Sequence, residues 1–375
     1  MMRLLLVFFL MVACNANAQF LVGNTSTSFT DVTRANRQIS CVIYYPAMSE
    51  GADAPMADGV FPYIVFGHGF VMNYNSYETL ANAIVSSGYV LIFVETEGGF
   101  APSHSAYGLD LAYVADHFLA DSPSINNGIF ENHLTRCAIM GHSMGGGATW
   151  LAATTSASVY CIAGLAPAET NPSAISAAAD VAVPAMVFSG SSDAVTAPAT
   201  NHIPIFEGTA STCKYFVNII DGSHCGYADS GSLCDFGEFG FSGLSRAEQQ
   251  AITHELLLAY FDFHLKEMSS GNAVLQSYAS SQPNVEMQIE CLSAVIQLNL
   301  QDISLFPNPC TETLFLEIDA NGSKLYSVLD LTGRTVASGS LMFAGGRAEL
   351  NTVQLPAGVY TLVLDNVGGV RFVKR

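Results

Sequence analysis

The chain has 375 residues, 50% hydrophobic and only 12% charged, with 13 basic against 32 acidic side chains and a formal net charge of −19. That hydrophobic content excludes disorder, which requires low hydrophobicity and dense charge, and the length is enough for one large or two core-forming domains. The acidic balance repels phosphate and excludes electrostatic binding of nucleic acid.

Met1 to Ala18 carries the pattern of a secretory leader: Arg3 as the positive start, an apolar run Leu4 to Val12, and Ala16-Asn17-Ala18 as the small-residue cleavage site before Gln19. The run is about half the roughly 20 apolar residues a membrane span needs. From about residue 39 to 270, short apolar runs alternate with amphipathic stretches, the rhythm of a mostly parallel sheet flanked by helices. Tyr63–Phe66, Val90–Val94, Cys137–Met140, Ile162–Leu165, Ala185–Phe188 and Tyr215–Ile220 are expected strands. Leu111, Val114, Ala115, Phe118 and Leu119 keep the spacing of a helix with one buried face. Ser245 to Met268 is expected as one helix, opened by the capping-box pair Ser245 and Glu248. Residues 271–300 lack the rhythm and finish this domain.

After Asp302 the composition changes. Residues 19–301 hold 6 basic and 25 acidic groups, whereas residues 302–375 hold 6 and 7. Thr313–Ile318, Leu325–Leu329 and Val359–Leu364 are short β-rich runs separated by Gly and Asn turns, as in a small all-β sandwich. The expected organisation is therefore a leader over 1–18, an α/β domain over 19–301 and a β-sandwich over 302–375.

Export alters how the cysteines are read. Eight remain once Cys14 leaves with the leader: Cys41, Cys137, Cys161, Cys213, Cys225, Cys234, Cys291 and Cys310. In an oxidising compartment such residues pair rather than bind metal, and neither Cys-x-x-Cys nor His-Glu-x-x-His occurs. Cys225 with Cys234 is the first candidate pair, and Cys137 with Cys161, at the starts of two apolar runs, the second.

Gly141-His142-Ser143-Met144-Gly145 follows the strand Cys137–Met140 and opens the small-residue helical run Gly146–Ala153. In that strand–turn–helix setting G-x-S-x-G presents a nucleophile: the sharp turn projects Ser143 Oγ at a helix N-terminus whose dipole favours an oxyanion. A serine hydroxyl needs a base. His224, just after the strand Tyr215–Ile220, is the candidate; His254, His264 and His117 fall on helices, and His202 is a loop rival that follows no strand. Asp193, reached from Phe188 through Ser189-Gly190-Ser191-Ser192, is the candidate acid, with Glu169 the runner-up and Asp221 a loop-shaping residue. The backbone N–H groups of Phe70, in Gly67-His68-Gly69-Phe70, and of Met144 are the candidate oxyanion hole.

These residues, in the order Ser, Asp, His, resemble the α/β-hydrolase superfamily across roughly 39–270. Phe66-Gly67-His68-Gly69-Phe70, Asn75-Ser76-Tyr77 and Gly141-His142-Ser143-Met144-Gly145-Gly146-Gly147 look like the branch of dienelactone-hydrolase-like esterases, chlorophyllases and cutinase-type polyesterases. The resemblance implies carboxylic-ester hydrolysis through an acyl-enzyme, with no metal or organic cofactor. Cutinase-type polyesterases usually carry a tryptophan after the strand that follows the elbow. Here Leu165-Ala166-Pro167 has alanine and the sole tryptophan is Trp150, so an aromatic wall is expected from Phe70, Tyr74 or Tyr227. Leu305-Phe306-Pro307-Asn308-Pro309, Leu331-Thr332-Gly333-Arg334, Leu355-Pro356-Ala357-Gly358-Val359-Tyr360 and the terminal Val373-Lys374-Arg375 resemble the sorting domain of type IX secretion cargo, which implies export through both membranes with the secretion machinery as partner.

The expectation is a secreted, monomeric serine esterase acting on bulky or polymeric esters, aromatic polyesters among them. A peptidase on the same fold would need a site for a charged terminus, poorly provided for by 6 basic residues. A non-catalytic surface binding module would have no need of the full constellation.

Overall fold

The computed structural model describes residues 19–375 apart from 232, 239, 281–282, 292–302, 319–320, 330–334 and 365–367. The leader, the expected joint at 301/302 and the Leu331–Arg334 motif lie outside the described residues. The chain divides into two units on either side of Cys291.

In chain order the first unit comprises β1 (Leu21–Asp31), β2 (Arg37–Ala47), β3 (Gly51–Ala52), β4 (Phe61–Gly67), α1 (Glu78–Ser86), β5 (Val90–Val94), α2 (His104–Asp121), β6 (Leu134–His142), α3 (Met144–Ala153), β7 (Val159–Leu165), α4 (Ala174–Ala178), β8 (Ala185–Gly190), α5 (His202–Gly208), β9 (Cys213–Ile219), α6 (Arg246–His264), α7 (Ser269–Ser280) and β10 (Val285–Cys291). They form one sheet in the order β10-β9-β8-β7-β6-β4-β5-β2-β1-β3. The central strands from β5 to β9 are parallel, while β10 and the β1–β2 hairpin run antiparallel at the two flanks. Central strands are covered on both faces and so read as continuous apolar runs. In β4, Tyr63 and Val65 enter the core on one side of the sheet, Ile64 and Phe66 that on the other.

Four expectations need correction. The sheet begins before residue 39, because β1 is mostly small and polar (Asn24, Thr25, Ser26, Thr27, Ser28) and its pairing with β2, not its own hydrophobicity, makes it a strand. The helix expected over 245–268 ends at His264; Glu267 adopts φ +58°, the chain turns, and α7 packs back on α6. Residues 285–291 add β10, whose register sets Cys291 opposite Cys213, and these two form a disulfide. Cys137 and Cys161 are not bonded. In the β6–β7 register Cys161 lies beside Ala138, one residue out of step with Cys137, so the two thiols enter cores on opposite faces. The Cys225–Cys234 bond is present.

The second unit holds β11 (Ser304–Phe306), β12 (Thr313–Glu317), β13 (Gly322–Leu329), β14 (Thr335–Phe343), β15 (Arg347–Asn351), β16 (Gly358–Leu364) and β17 (Gly368–Lys374). Two antiparallel sheets, β11-β12-β15 and β14-β13-β16-β17, share a core that includes Leu314, Leu316, Val328, Leu350, Leu362 and Phe372. Among the described residues no helix is long and apolar enough to cross a membrane.

Candidate active site

Four loops at the carboxyl ends of parallel strands converge here, the edge where sheets of this kind bind ligands. After β6, Ser143 takes φ +55° and ψ −118°, a backbone state that L-residues rarely hold and that functional sites retain against its cost. Glycines make it possible. A Cβ on Gly145 would sit 2.1 Å from the Gly67 carbonyl oxygen, and one on Gly141 would sit 2.4 Å from the Gly145 carbonyl carbon. Only bare backbone lets β4, β6 and α3 approach so closely. The Ser143 N–H donates to Leu165 O at 2.9 Å, tying the turn to β7.

His224 follows β9, and its Nε2 lies 2.9 Å from Ser143 Oγ. Its Nδ1 lies 2.8 Å from Asp193 Oδ2. The Asp193 turn after β8 is drawn to the histidine loop by Ser192 N–H donating to Gly222 O at 2.9 Å. The N–H groups of Val195 and Thr196 donate to Asp193 Oδ1 at 2.8 and 2.7 Å. Burial pushes this carboxyl up, but the His224 ring and these donors outweigh it and hold Asp193 at about 2. The rival residues stand elsewhere. The Glu169 carboxylate accepts the Ile175 N–H beside α4, and Asp221, at φ +55°, shapes the loop by accepting the Leu244 N–H on its carbonyl.

In the turn after β4, the His68 N–H is taken by Tyr107 Oη at 2.7 Å and the Gly69 N–H by Tyr77 Oη at 3.0 Å. Phe70 N–H meets no protein acceptor among the described residues, and Met144 is the first residue of α3, where helix geometry leaves amides unpaired. His142, beside the serine, is fully buried. Its Nε2 faces the His224 carbonyl at 3.1 Å and its Nδ1 faces Tyr77 Oη at 3.0 Å. Because a carbonyl only accepts, Nε2 carries the proton and Tyr77 donates to Nδ1. Burial holds His142 well below its ordinary range, so it stays neutral.

A cleft of about 290 Å³ opens over Ser143 and His224, walled by Phe70, Val71, Met72, Phe100, Val195, Cys234 and Gly237. Of the three aromatic candidates only Phe70 lines it. Tyr227 is buried behind the histidine, its ring against those of His142 and Phe188. Tyr74 packs on Tyr44 while its N–H donates to Glu95. Both miss because strand positions do not reveal which loop faces the cleft.

Three contributors escaped the sequence reading. Phe100, 82% exposed, meets Phe70 edge-on with ring centroids 6.4 Å apart; its Gly98-Gly99-Phe100 setting after β5 was the available signal. Glu238 accepts the N–H groups of His224 and Cys225 at 2.5 and 2.9 Å, fixing the histidine loop with the Cys225–Cys234 bond. Thr196 Oγ1 lies 2.8 Å from His224 Nδ1.

His142, His224 and Cys234 come within 4.8 Å of one another at their ligand atoms. Those atoms are engaged, since Cys234 is disulfide-bonded and His142 Nε2 donates to a carbonyl. A hydroxyl on a strained turn, an imidazole in contact with it, a carboxylate behind that imidazole and two free amides can together perform nucleophilic acyl transfer.

Comparison with known proteins agrees with this chemistry. Residues 304–375 match the secretion system C-terminal sorting domain, so the chain carries an export signal directing it to the cell surface or beyond. The chain is 26% identical over 226 residues to a bis(hydroxyethyl) terephthalate hydrolase of Streptomyces coelicolor, covering 60% of this chain and 66% of that protein. It is 29% identical over 174 residues to the cutinase est1 of Thermobifida alba, covering 45% and 55%, and 27% identical over 173 residues to the cutinase est2 of that organism, with the same coverage. It thus spans between about half and two thirds of the length of these relatives. The PET hydrolase-like family model matches residues 13–253, a stretch that contains the Ser143 turn, the turn after β4 and the loops of Asp193 and His224, and the chain belongs to that family.

Proposed function

We propose that the protein is a secreted serine hydrolase of carboxylic esters, acting on bulky or polymeric esters including aromatic polyesters, with residues 1–18 as leader, 19–301 as catalytic domain and 302–375 as sorting domain. The observation that carries this reading is the 2.9 Å contact between Ser143 Oγ and His224 Nε2 on a strained turn, open to an apolar cleft. The names of the relatives, a terephthalate-ester hydrolase and two cutinases, support the substrate class.

His224 Nε2 takes the Ser143 proton as Oγ adds to the ester carbonyl carbon. The resulting oxyanion is stabilised by the N–H groups of Phe70 and Met144, which cost nothing to reorganise because the turn already holds them. Asp193 keeps the proton on Nδ1 and stabilises the imidazolium. The tetrahedral adduct collapses, the C–O bond to the alcohol breaks, and His224 Nε2 protonates the departing alkoxide. Water then adds to the acyl-enzyme with its proton passing to Nε2, and collapse returns that proton to Ser143 as the acid leaves. The flank formed by Phe70 and Phe100 offers ring faces to an aromatic acyl group.

The test is hydrolysis of p-nitrophenyl esters from acetate to palmitate, together with acid release from an aromatic polyester film, for wild type and Ser143→Ala. Turnover of soluble esters and film by wild type, reduced about 10⁴-fold or more in the variant, is expected. A wild type inactive on every soluble ester contradicts the reading; activity on soluble esters alone contradicts the polymer part of it.

A further inference from the structure

The acid of the constellation is enclosed on its far side by a second, fully buried histidine that the mechanism above does not use. His202, at the start of α5, directs Nε2 to Thr196 Oγ1 at 3.0 Å and to Asp193 Oδ2 at 3.6 Å, and Nδ1 to Ser189 Oγ at 2.9 Å. Thr196 Oγ1 in turn lies 3.0 Å from Asp193 Oδ2, 2.8 Å from His224 Nδ1 and 3.3 Å from Ala166 O. Ser189 and His202 are fully buried, and Asp193 and Thr196 nearly so. Each of these polar atoms therefore needs a partner inside the protein.

The protons can be assigned in one self-consistent direction. His224 must carry its proton on Nδ1, because Nε2 accepts from Ser143. Thr196 cannot usefully donate to that N–H, so its hydroxyl proton goes to the Asp193 carboxylate, the strongest acceptor within reach. Its oxygen then accepts the N–H of His202 Nε2, and His202 Nδ1 accepts the Ser189 hydroxyl proton. Three donors in series thus point at Asp193 Oδ2, and such chains polarise one another. Burial keeps His202 neutral, down at about 4, so the series adds direction without placing a cation beside the carboxylate.

We propose that Ser189, His202 and Thr196 form a positioning relay that locks the Asp193 carboxylate, and through it the Nδ1–H tautomer of His224, with Thr196 as the joint touching both members of the pair. This rests on the hydrolytic reading of Ser143, His224 and Asp193. A loose carboxylate would let the imidazole rotate off Ser143 Oγ and slow turnover, while the cleft that binds substrate would be unchanged. The loss therefore falls on kcat and not on KM.

The test is a double-mutant cycle on a soluble p-nitrophenyl ester, with active sites counted by stoichiometric fluorophosphonate labelling. Wild-type turnover and its loss in Ser143→Ala are established first, so failure of the hydrolytic reading is seen before the relay is questioned. Thr196→Val, which removes the hydroxyl at constant shape, is expected to lower kcat about tenfold, the worth of one hydrogen bond to a charged acceptor, at unchanged KM. Thr196→Ser is expected to restore most of it. His202→Phe is expected to lower kcat about fivefold, and His202→Gln, which can still donate to Thr196, to restore it. The Thr196→Val/His202→Phe double variant is expected to be no slower than Thr196→Val alone, because the histidine acts through the threonine. Wild-type kcat in Thr196→Val, failure of serine to rescue, additive losses, or a change confined to KM overturns the proposal. If valine at 196 prevents folding, Ser189→Ala carries the test: a kcat loss at unchanged KM that vanishes in the His202→Phe background supports the relay, and an unaltered kcat overturns it.

Discussion

Asp193 and His202 illustrate how burial and hydrogen bonding pull neighbouring groups in opposite senses. The carboxyl is held at about 2 although burial opposes its charge, whereas burial drives the His202 imidazole down from 6.5 to about 4 against the pull of the Asp193 carboxylate. His264, half-buried against Tyr215, is likewise lowered to about 4 by its loss of solvent. Between pH 6.5 and 4 the unfolded chain binds protons at both histidines that the native chain does not. Native stability must therefore fall as pH drops through that window, and Asp193 extends the loss from its ordinary 3.8 toward 2. Melting temperature measured from pH 7 to 4.5 is expected to decline, and to decline less steeply in His264→Gln. At the chemical centre, Asp193→Asn is expected to cut kcat by about 10⁴ with the fold intact, because an amide can donate to Nδ1 and so stabilise the wrong tautomer. Ser143, Asp193 and His224 were legible as neighbours because each follows a strand in a sheet whose order the motif implies. Thr196 and Glu238 were not. Their roles depend on which loops meet, and a threonine directly after a valine carries no local mark of its place beside an imidazole.

Elements show the same division. Periodicity located the central strands because burial on both faces makes them uniformly apolar. It missed β1, whose polar residues are held by cross-strand pairing, and the end of α6 at His264, beyond which Glu267 takes a positive φ. The elbow is the least tolerant element. Gly145→Ala would force a Cβ to within 2.1 Å of a carbonyl oxygen, so β4 or α3 must shift. Loss of cooperative folding, or of labelling by fluorophosphonate, is expected and is read by thermal melt and labelling stoichiometry. The Cys213–Cys291 bond closes a separation of 78 residues and tethers β10 to β9. By chain entropy it contributes about 4 kcal/mol, so the double serine variant is expected to melt several degrees lower with activity per folded molecule retained. The Cys225–Cys234 bond spans only 9 residues but borders Ser143 and His224 in the cleft wall. Its removal is expected to raise KM more than it lowers the melting point.

Over the whole chain the charge follows the two units. The excess of acidic groups lies in residues 19–301, and the C-terminal β-sandwich is nearly neutral and has its own core. Every group assigned to hydrolysis belongs to the first unit, and the second matches a sorting domain. A chain ending at residue 301 is therefore expected to hydrolyse soluble esters with kcat within about twofold of the full chain, the size of effect left when no interaction at the reacting atoms is lost. A large loss of kcat would mean that the second unit contributes to the site. Whether Ser143 carries a covalent acyl group is decided by rapid acid quench of the full chain turning over a p-nitrophenyl ester, followed by peptide mass mapping. An acyl mass on the peptide bearing Ser143, absent in Ser143→Ala and accumulating in step with a burst of nitrophenol, is the predicted result. Turnover with no acyl adduct, or an adduct on a different residue, would contradict it.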